Sequence, residues 1–358
     1  MKPFALYTVS NIRIMTNVIK FFVLAAAFIC NTCVYAQDVH LSQFFEAPLL
    51  RNPSLAGIFS GDIRFQGVYR NQWGSVTVPY KTGSFNFEYK KPIGRGDDFL
   101  TTGMQVVYDK AGTTNFTTTS LLPAINYHKS LSSEKTKYLS LGFMGGLVQR
   151  RIDRSKMTTN NHFDGNGYNP ALADGETFLN ANYAYLDGSV GMSFNSSLGE
   201  NEDDNYYIGL AYHHFNKPKN SFYRNPDIEL NTKWVGSAGV RFALNETSFF
   251  TIQADHTVQG SYSETIGGAL YSYNLGGEDY DSPLYTVHFG AFLRWKDAII
   301  PVVKIDYLPF SIALSYDVNV SSLKTASQSR GGMELSVTYA AFFDRDNSTR
   351  NAVVCPRF

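Results

Sequence analysis

Phe310-Ser311-Ile312-Ala313-Leu314-Ser315-Tyr316-Asp317 alternates Phe, Ile, Leu and Tyr with Ser, Ala, Ser and Asp. A period of two sends successive side chains to opposite faces of a strand, so this stretch has one apolar face and one polar face. Segments of this kind recur near 63–70, 83–90, 99–109, 115–127, 138–149, 182–195, 205–215, 232–244, 248–258, 262–271, 283–294, 299–307, 310–317 and 332–343. They number fourteen, an even count, as in single-chain bacterial barrels. Turn formers such as Lys91-Pro92-Ile93-Gly94, Asp109-Lys110-Ala111-Gly112 and Asn274-Leu275-Gly276-Gly277 separate them.

A soluble sandwich shares this alternation, but three features favour a membrane barrel. Charges stand mid-strand on the polar faces: Lys304 and Asp306 lie opposite Val303, Ile305 and Tyr307, and Arg294, Asp317 and Glu334 behave alike. A basic side chain facing lipid at the midplane costs about 2–4 kcal/mol, so these charges are expected to face the lumen. Aromatic residues are many, 23 Tyr and 27 Phe, and Tyr69, Tyr89, Tyr108, Tyr127, Tyr285, Trp295 and Tyr307 sit at strand ends, where interfacial girdles form. After residue 36 no segment is apolar enough for a membrane helix, so a membrane form must be a closed barrel. The predicted fold is all-β: a transmembrane antiparallel β-barrel of about 14 strands, of outer-membrane type.

The first 36 residues read as an export leader. Lys20 precedes the apolar run Phe21–Ile29, and Val34-Tyr35-Ala36 offers a small-residue cleavage site before Gln37. A start at Met15 gives a leader of ordinary length. An N-terminal membrane anchor is the other reading, but spanning takes roughly 20 apolar residues and this run is shorter. Cys30 and Cys33 lie in the leader outside any lipoprotein box, and Cys355 alone remains afterwards, so no internal disulfide is expected. Without the leader the chain carries 28 basic and 31 acidic residues, which gives no reason to expect a nucleic-acid partner. Residues 37–60 are aromatic and turn-forming and are placed on or in the barrel. Residues 61–343 form the barrel, and 344–358 a periplasmic tail. Two connections are long, roughly 150–181 and 216–231. With the N-terminus in the periplasm both fall outside the cell, where barrels carry their long loops. The connection at 272–282 is long for a periplasmic turn.

No catalytic constellation emerges, and no cofactor or metal is expected. G-x-S-x-G, H-E-x-x-H, P-loop and C-x-x-C patterns are absent after residue 36. His213 and His214 are neighbours, which on a strand point to opposite faces and do not readily share a metal. Glu200-Asn201-Glu202-Asp203-Asp204 lacks calcium-loop spacing and reads as a solvated turn. Asn161–Gly167 reads as loop turn chemistry. Asp306 and Glu334 invite a proton relay, against the plainer reading of lumen packing and ion pairing.

Tyr69-Arg70-Asn71-Gln72-Trp73 closes the first strand with a polar and aromatic cluster. Arg and Trp are common binding anchors, so Arg70, Asn71, Gln72 and Trp73 are candidates for partner binding, with a purely structural rim cluster as the alternative. Arg294, Lys304, Asp306, Asp317 and Glu334 form a candidate lumen network that narrows or blocks the bore. In Ser329-Arg330-Gly331-Gly332-Met333-Glu334-Leu335-Ser336 the glycines permit a bend or close approach, and Glu334 points inward.

These landmarks together resemble the PorP/SprF family of the Bacteroidetes. The resemblance rests on Gln37–Phe45, Pro48–Gly57, the arginine-glutamine-tryptophan motif at Arg70, Gln72 and Trp73, Leu314–Asn319, Gly331–Ser336 and the ending Cys355-Pro356-Arg357-Phe358. Met333 stands where an aromatic is the commoner choice. The resemblance implies an outer-membrane protein of the type IX secretion system, without enzyme activity or cofactor. It implies a role in export or surface attachment of a large adhesin, and in gliding motility. The implied partners are outer-membrane lipid, type IX components and a secreted adhesin with a C-terminal sorting domain. A channel or transporter for a small solute is the competing expectation. An outer-membrane enzyme is a third, against which stands the lack of any Ser/His/Asp grouping.

Overall fold

The computed structural model describes residues 38–343 except 95–96, 133–135, 179, 200, 277–283 and 323, and at 201–203 it describes the backbone alone. The leader at 1–36, the tail at 344–358 and Cys355 lie outside the described residues.

Fourteen antiparallel strands close into one barrel, each paired with its neighbours in sequence, and β1 closes on β14. They are β1 (Ile63–Gln72), β2 (Tyr80–Pro92), β3 (Phe99–Ala111), β4 (Phe116–Ser130), β5 (Lys137–Arg151), β6 (Asn182–Leu198), β7 (Asn201–His213), β8 (Lys233–Asn245), β9 (Ser248–Gln259), β10 (Tyr262–Leu275), β11 (Tyr285–Arg294), β12 (Ala298–Tyr307), β13 (Phe310–Asn319) and β14 (Arg330–Ala341). Closure removes every sheet edge, so no ladder group of the wall is left open to lipid. Among the described residues no helix is long and apolar enough to cross a membrane.

The wall is apolar outside and polar inside. In β13, Phe310, Ile312, Leu314 and Tyr316 are 41–52% exposed, whereas Ala313, Ser315 and Asp317 are 1–2% exposed. Apolar side chains face outward because the surrounding medium is hydrocarbon, and the polar set faces a lumen. Connections 152–181 and 214–232 share one rim, which is therefore the outer one, and most turns on the opposite rim are short. The connection 276–284 on that inner rim is the long exception. One turn was misread: the backbone of 201–204 belongs to β7, and Asp204 accepts from the Ala243 amide of β8 at 2.6 Å.

Residues 38–62 run through the lumen. Asp38 meets Gln259, His214 and Lys233 at the outer-rim ends of β9, β7 and β8. The chain then descends to Asp62, which hands over to β1 at the inner rim. Three single turns, Phe44–Glu46, Pro48–Arg51 and Pro53–Leu55, shape it. Two of them start on proline, whose fixed φ suits a first helical position, and Asn52 accepts from the Ser54 amide at 2.9 Å. The apolar core lies between this plug and the wall. Phe44 packs among Ile266, Leu270, Phe292, Ile300 and Val302, and Leu49 with Ala56 among Leu122, Ala124, Met144 and Val148.

Candidate functional site

The plug is held by ionic clamps, and the largest centres on Arg70. The Arg70 guanidinium is 1% exposed and donates to Glu334 at 2.7 Å, to Asp317 at 3.0 Å and to the Ser42 hydroxyl at 3.0 Å. Glu334 in turn accepts from the plug amides of Ser42 at 2.6 Å and Gln43 at 2.7 Å. Arg294 bonds Asp317 at 3.1 Å and also the Ser42 hydroxyl. β1, β11, β13 and β14 thus converge on two consecutive plug residues. A desolvated cluster of this kind holds only if each charge has partners, and here the plug backbone supplies some of them.

Three further clamps follow down the chain. Lys304 reaches Glu46 of the plug at 2.8 Å, while Asp306 faces His288 at 3.0 Å. Arg51 forks onto Asp255 at 2.5 and 2.6 Å and bonds the Tyr207 hydroxyl at 2.7 Å. Near the inner rim, Glu88 accepts from the Gly57 amide and from Arg64, each at 2.7 Å, and Lys90 donates to the Phe59 carbonyl at 2.7 Å. At the outer end Asp38 takes Lys233 at 2.8 Å and His214 at 2.7 Å.

Glycines make the seat for the middle turn. A Cβ at Gly142 would lie 2.5 Å from the Pro53 backbone, and one at Gly209 would lie 2.9 Å from the side-chain Nδ2 of Asn52. A Cβ at Gly191 would overlap the Asn52 side chain outright. Only glycine lets the wall approach the plug this closely. Cavities of about 60 and 80 Å³ lie beside Val39 and Leu50, room for a few waters.

The sequence-predicted residues separate into groups. Arg294, Asp317 and Glu334 come together around Arg70, whereas Lys304 and Asp306 serve a different clamp. The wall charges meet the plug more than one another across the bore. A barrel this wide is not filled by wall side chains alone. Arg70, a candidate for partner binding beside Trp73, is buried and cannot meet a partner directly. Alternation turns Arg70 inward, and Trp73 leaves the strand at positive φ (60°) and packs on Tyr80, ring centres 4.9 Å apart. Asn71 lies opposite Lys81 and Met333, and Gln72 opposite Tyr80 and Gly332, all at the outer rim. The two histidines are corrected likewise. His214 also takes positive φ (57°), which breaks the alternation, and both rings end up buried. His213 bonds the Arg51 carbonyl at 3.0 Å, and His214 bonds Asp38 and Asp187.

Sequence reasoning missed Glu46, Arg51, Asp255, Glu88, Arg64, Asp38 and Lys233. Glu88 and Asp255 sit at inward positions of their strands, the signal that singled out Lys304. The plug charges carry no period and gave no such signal.

Outside, the two long loops lock together. Arg154 forks onto Asp174 at 2.7 and 2.9 Å and bonds the Phe178 carbonyl at 2.9 Å. Phe178 and Tyr183 pack on Phe222 of the second loop, and Arg150 bonds Asn220 at 2.8 Å. The Arg154 hydrogen bonds hold the Asp174 carboxyl below its ordinary range. At the tip Phe163 bridges to Tyr168, both more than half exposed, and Asp164 accepts from the Asn166 amide.

A closed barrel with an apolar belt and a lumen filled by its own N-terminal segment defines an outer-membrane protein. The model of type IX secretion system membrane proteins PorP/SprF matches residues 33–339, and the chain belongs to that family. Its place is the outer membrane and its role lies in type IX secretion. No curated protein matches. Similar solved structures include a TodX monoaromatic hydrocarbon channel mutant (TM-score 0.46, 11% identity, 83% of this chain and 94% of that one). A FadL homologue of Pseudomonas aeruginosa is similar too (TM-score 0.44, 10% identity, 82% and 94%). So is CdiB from Acinetobacter baumannii (TM-score 0.40, 8% identity), where the match covers 78% of this chain and 60% of that one.

Proposed function

We propose that this chain is a self-plugged outer-membrane subunit of the type IX system that works by binding on its rims, not by conducting through its bore. It supports export or surface attachment of a large cargo, an adhesin of the kind that serves gliding motility, by holding the cargo's C-terminal sorting domain or envelope partners of the apparatus. The observation that carries this reading is the plug: residues 38–62 fill the lumen and are tied to the wall at successive levels, by ion pairs of Asp38, Glu46 and Arg51 and by hydrogen bonds from the Ser42, Gln43 and Gly57 amides to buried wall carboxylates. The binding surface is the outer rim, where Trp73, Phe163, Tyr168 and Tyr223 offer aromatic contacts beside the locked loops. Asn71 and Gln72 flank Trp73 there, and Arg70 serves by holding the plug beneath. The reading includes no catalytic step and no cofactor.

Affinity purification of the tagged protein from its own envelope tests this. Recovery of a large secreted adhesin or of type IX components supports it. Clean isolation of a lone barrel, together with normal export in a deletion strain, refutes it. Planar bilayer recording separates the channel reading, since a steady large conductance would favour a solute path.

A further inference from the structure

Three basic residues stand in one row along the outer wall, the third set apart from the other two by a threonine. Lys81 of β2 lies opposite Lys110 of β3, Lys110 opposite Thr117 of β4, and Thr117 opposite Arg151 of β5. They share the strand faces of Phe85, Tyr108, Leu121 and Leu147, each 43–51% exposed to the lipid side. Like charges directly opposite on neighbouring strands repel. Among the described residues no acidic group pairs with any of the three. Asp109, next to Lys110 in sequence, points into the lumen and accepts from Thr82 at 2.6 Å. Asp153, two residues beyond Arg151, is taken by Ser155 at 2.7 Å and Lys156 at 3.7 Å. At the inner rim, by contrast, the outward Lys129 has its own acid, Asp98, at 2.8 Å.

The row lies at the strand ends next to the outer loops, at the level of the outer-leaflet headgroups. Below it begins the apolar belt, with Tyr108 two residues, about 7 Å, beneath Lys110. An anion that relieves the repulsion therefore arrives with hydrocarbon attached. An arginine and a lysine flanking the short Thr117 leave room for a phosphate between them, which the guanidinium fork meets with two hydrogen bonds. Asn71 and Asn182, opposite Lys81 and Arg151, add neutral donors and acceptors suited to sugar hydroxyls. The geometry points to a binding site for a phosphorylated glycolipid of the outer leaflet. Lys81, Lys110 and Arg151 hold its phosphate, and the acyl chains lie on Tyr108, Leu121 and Leu147.

The test is native mass spectrometry of the full-length barrel in mild detergent, titrated with lipid A, with dephosphorylated lipid A and with inorganic phosphate. Lipid A binds the unaltered protein and the inner-rim variant Lys91→Gln alike. The triple variant Lys81→Gln/Lys110→Gln/Arg151→Gln binds it at least tenfold more weakly, and removing the phosphate weakens binding as much. Heat-modifiable migration on gels reports folding; should the triple variant not fold, Lys110→Gln alone is expected to weaken binding two- to fivefold. Equal binding of lipid A by the folded variant, or of dephosphorylated lipid A by the unaltered protein, overturns the site. Inorganic phosphate binding as tightly as lipid A overturns the lipid assignment.

Discussion

Replacing Glu334 by Gln keeps the shape of the side chain and removes its charge. The carboxylate accepts three hydrogen bonds, from the Ser42 and Gln43 amides at 2.6 and 2.7 Å and from Arg70 at 2.7 Å. One carboxylate oxygen takes both the Ser42 amide and Arg70, so the Gln oxygen keeps those two while its NH₂ meets the Gln43 amide, and one of the three bonds is lost. At about 1.5–3 kcal/mol for a bond to a charged group, the lost bond alone costs about 1.5–3 kcal/mol. The charge lost opposite buried Arg70 adds to this, and removing one partner of a buried ion pair typically costs about 3–5 kcal/mol in all. Arg70 then shares Asp317 with Arg294 and has no second carboxylate. The backbone ladder of β14 is untouched, so the cost falls on the plug and not on the wall. At about 1.4 kcal/mol per tenfold, the population with the plug released rises roughly 10²- to 10⁴-fold. Hydrogen exchange followed by mass spectrometry reads this directly. Peptides covering 38–57 should lose protection by that factor, while β2–β7 keep theirs. A folded Glu334→Gln barrel with unchanged protection over 38–57 would show that the Arg70 cluster does not hold the plug.

Gly191→Val drives a side chain into the space of Asn52. An overpacked contact costs about 1–3 kcal/mol, and exchange over 49–57 should quicken accordingly with strand pairing retained. Trp73→Ala is expected to leave the heat-modifiable barrel intact and to cut partner recovery in envelope pull-downs at least tenfold; undiminished recovery removes Trp73 from the binding surface. The depressed Asp174 carboxyl contributes to loop order above its ordinary pKa of about 3.9. That contribution is lost as pH falls through its lower folded value. Proteolysis of the 152–181 loop should therefore be flat from pH 7 to about 4 through this pair. In Asp174→Asn the loop should already be open at pH 7, and equal cleavage of both proteins there would contradict the Arg154 lock.

The strands were legible because their signal is local. Alternation in 310–317 needs only the pleat of one strand, and the β13 found, Phe310–Asn319, differs by two residues. Lys304 and Asp306 were placed inward by the cost of charge in lipid, again a property of one strand and its solvent. The errors fell where the backbone leaves that period. Trp73 and His214 take positive φ, and no count of alternating residues anticipates it. The start of β7 was hidden by Glu202, Asp203 and Asp204, whose charges read as turn although they lie in the strand as an irregularity between the pairs of Asn201 and Asn205.

The sequence by itself determined an all-β outer-membrane chain, a barrel of about fourteen strands, the inward charges and, through its motifs, the family. Only the tertiary structure decided what those charges do. Arg51 and Asp255 are 204 residues apart, Ser42 and Glu334 are 292, and nothing in either neighbourhood names the other. Barrel closure brings β1 beside β14 and encloses a space that wall side chains cannot fill. The non-periodic stretch Pro48–Gly57 fills it, seated on the bare backbone of Gly142 and Gly191. A plug has no repeat because each of its residues meets a different strand, and that is why its place was decided by the closed wall around it.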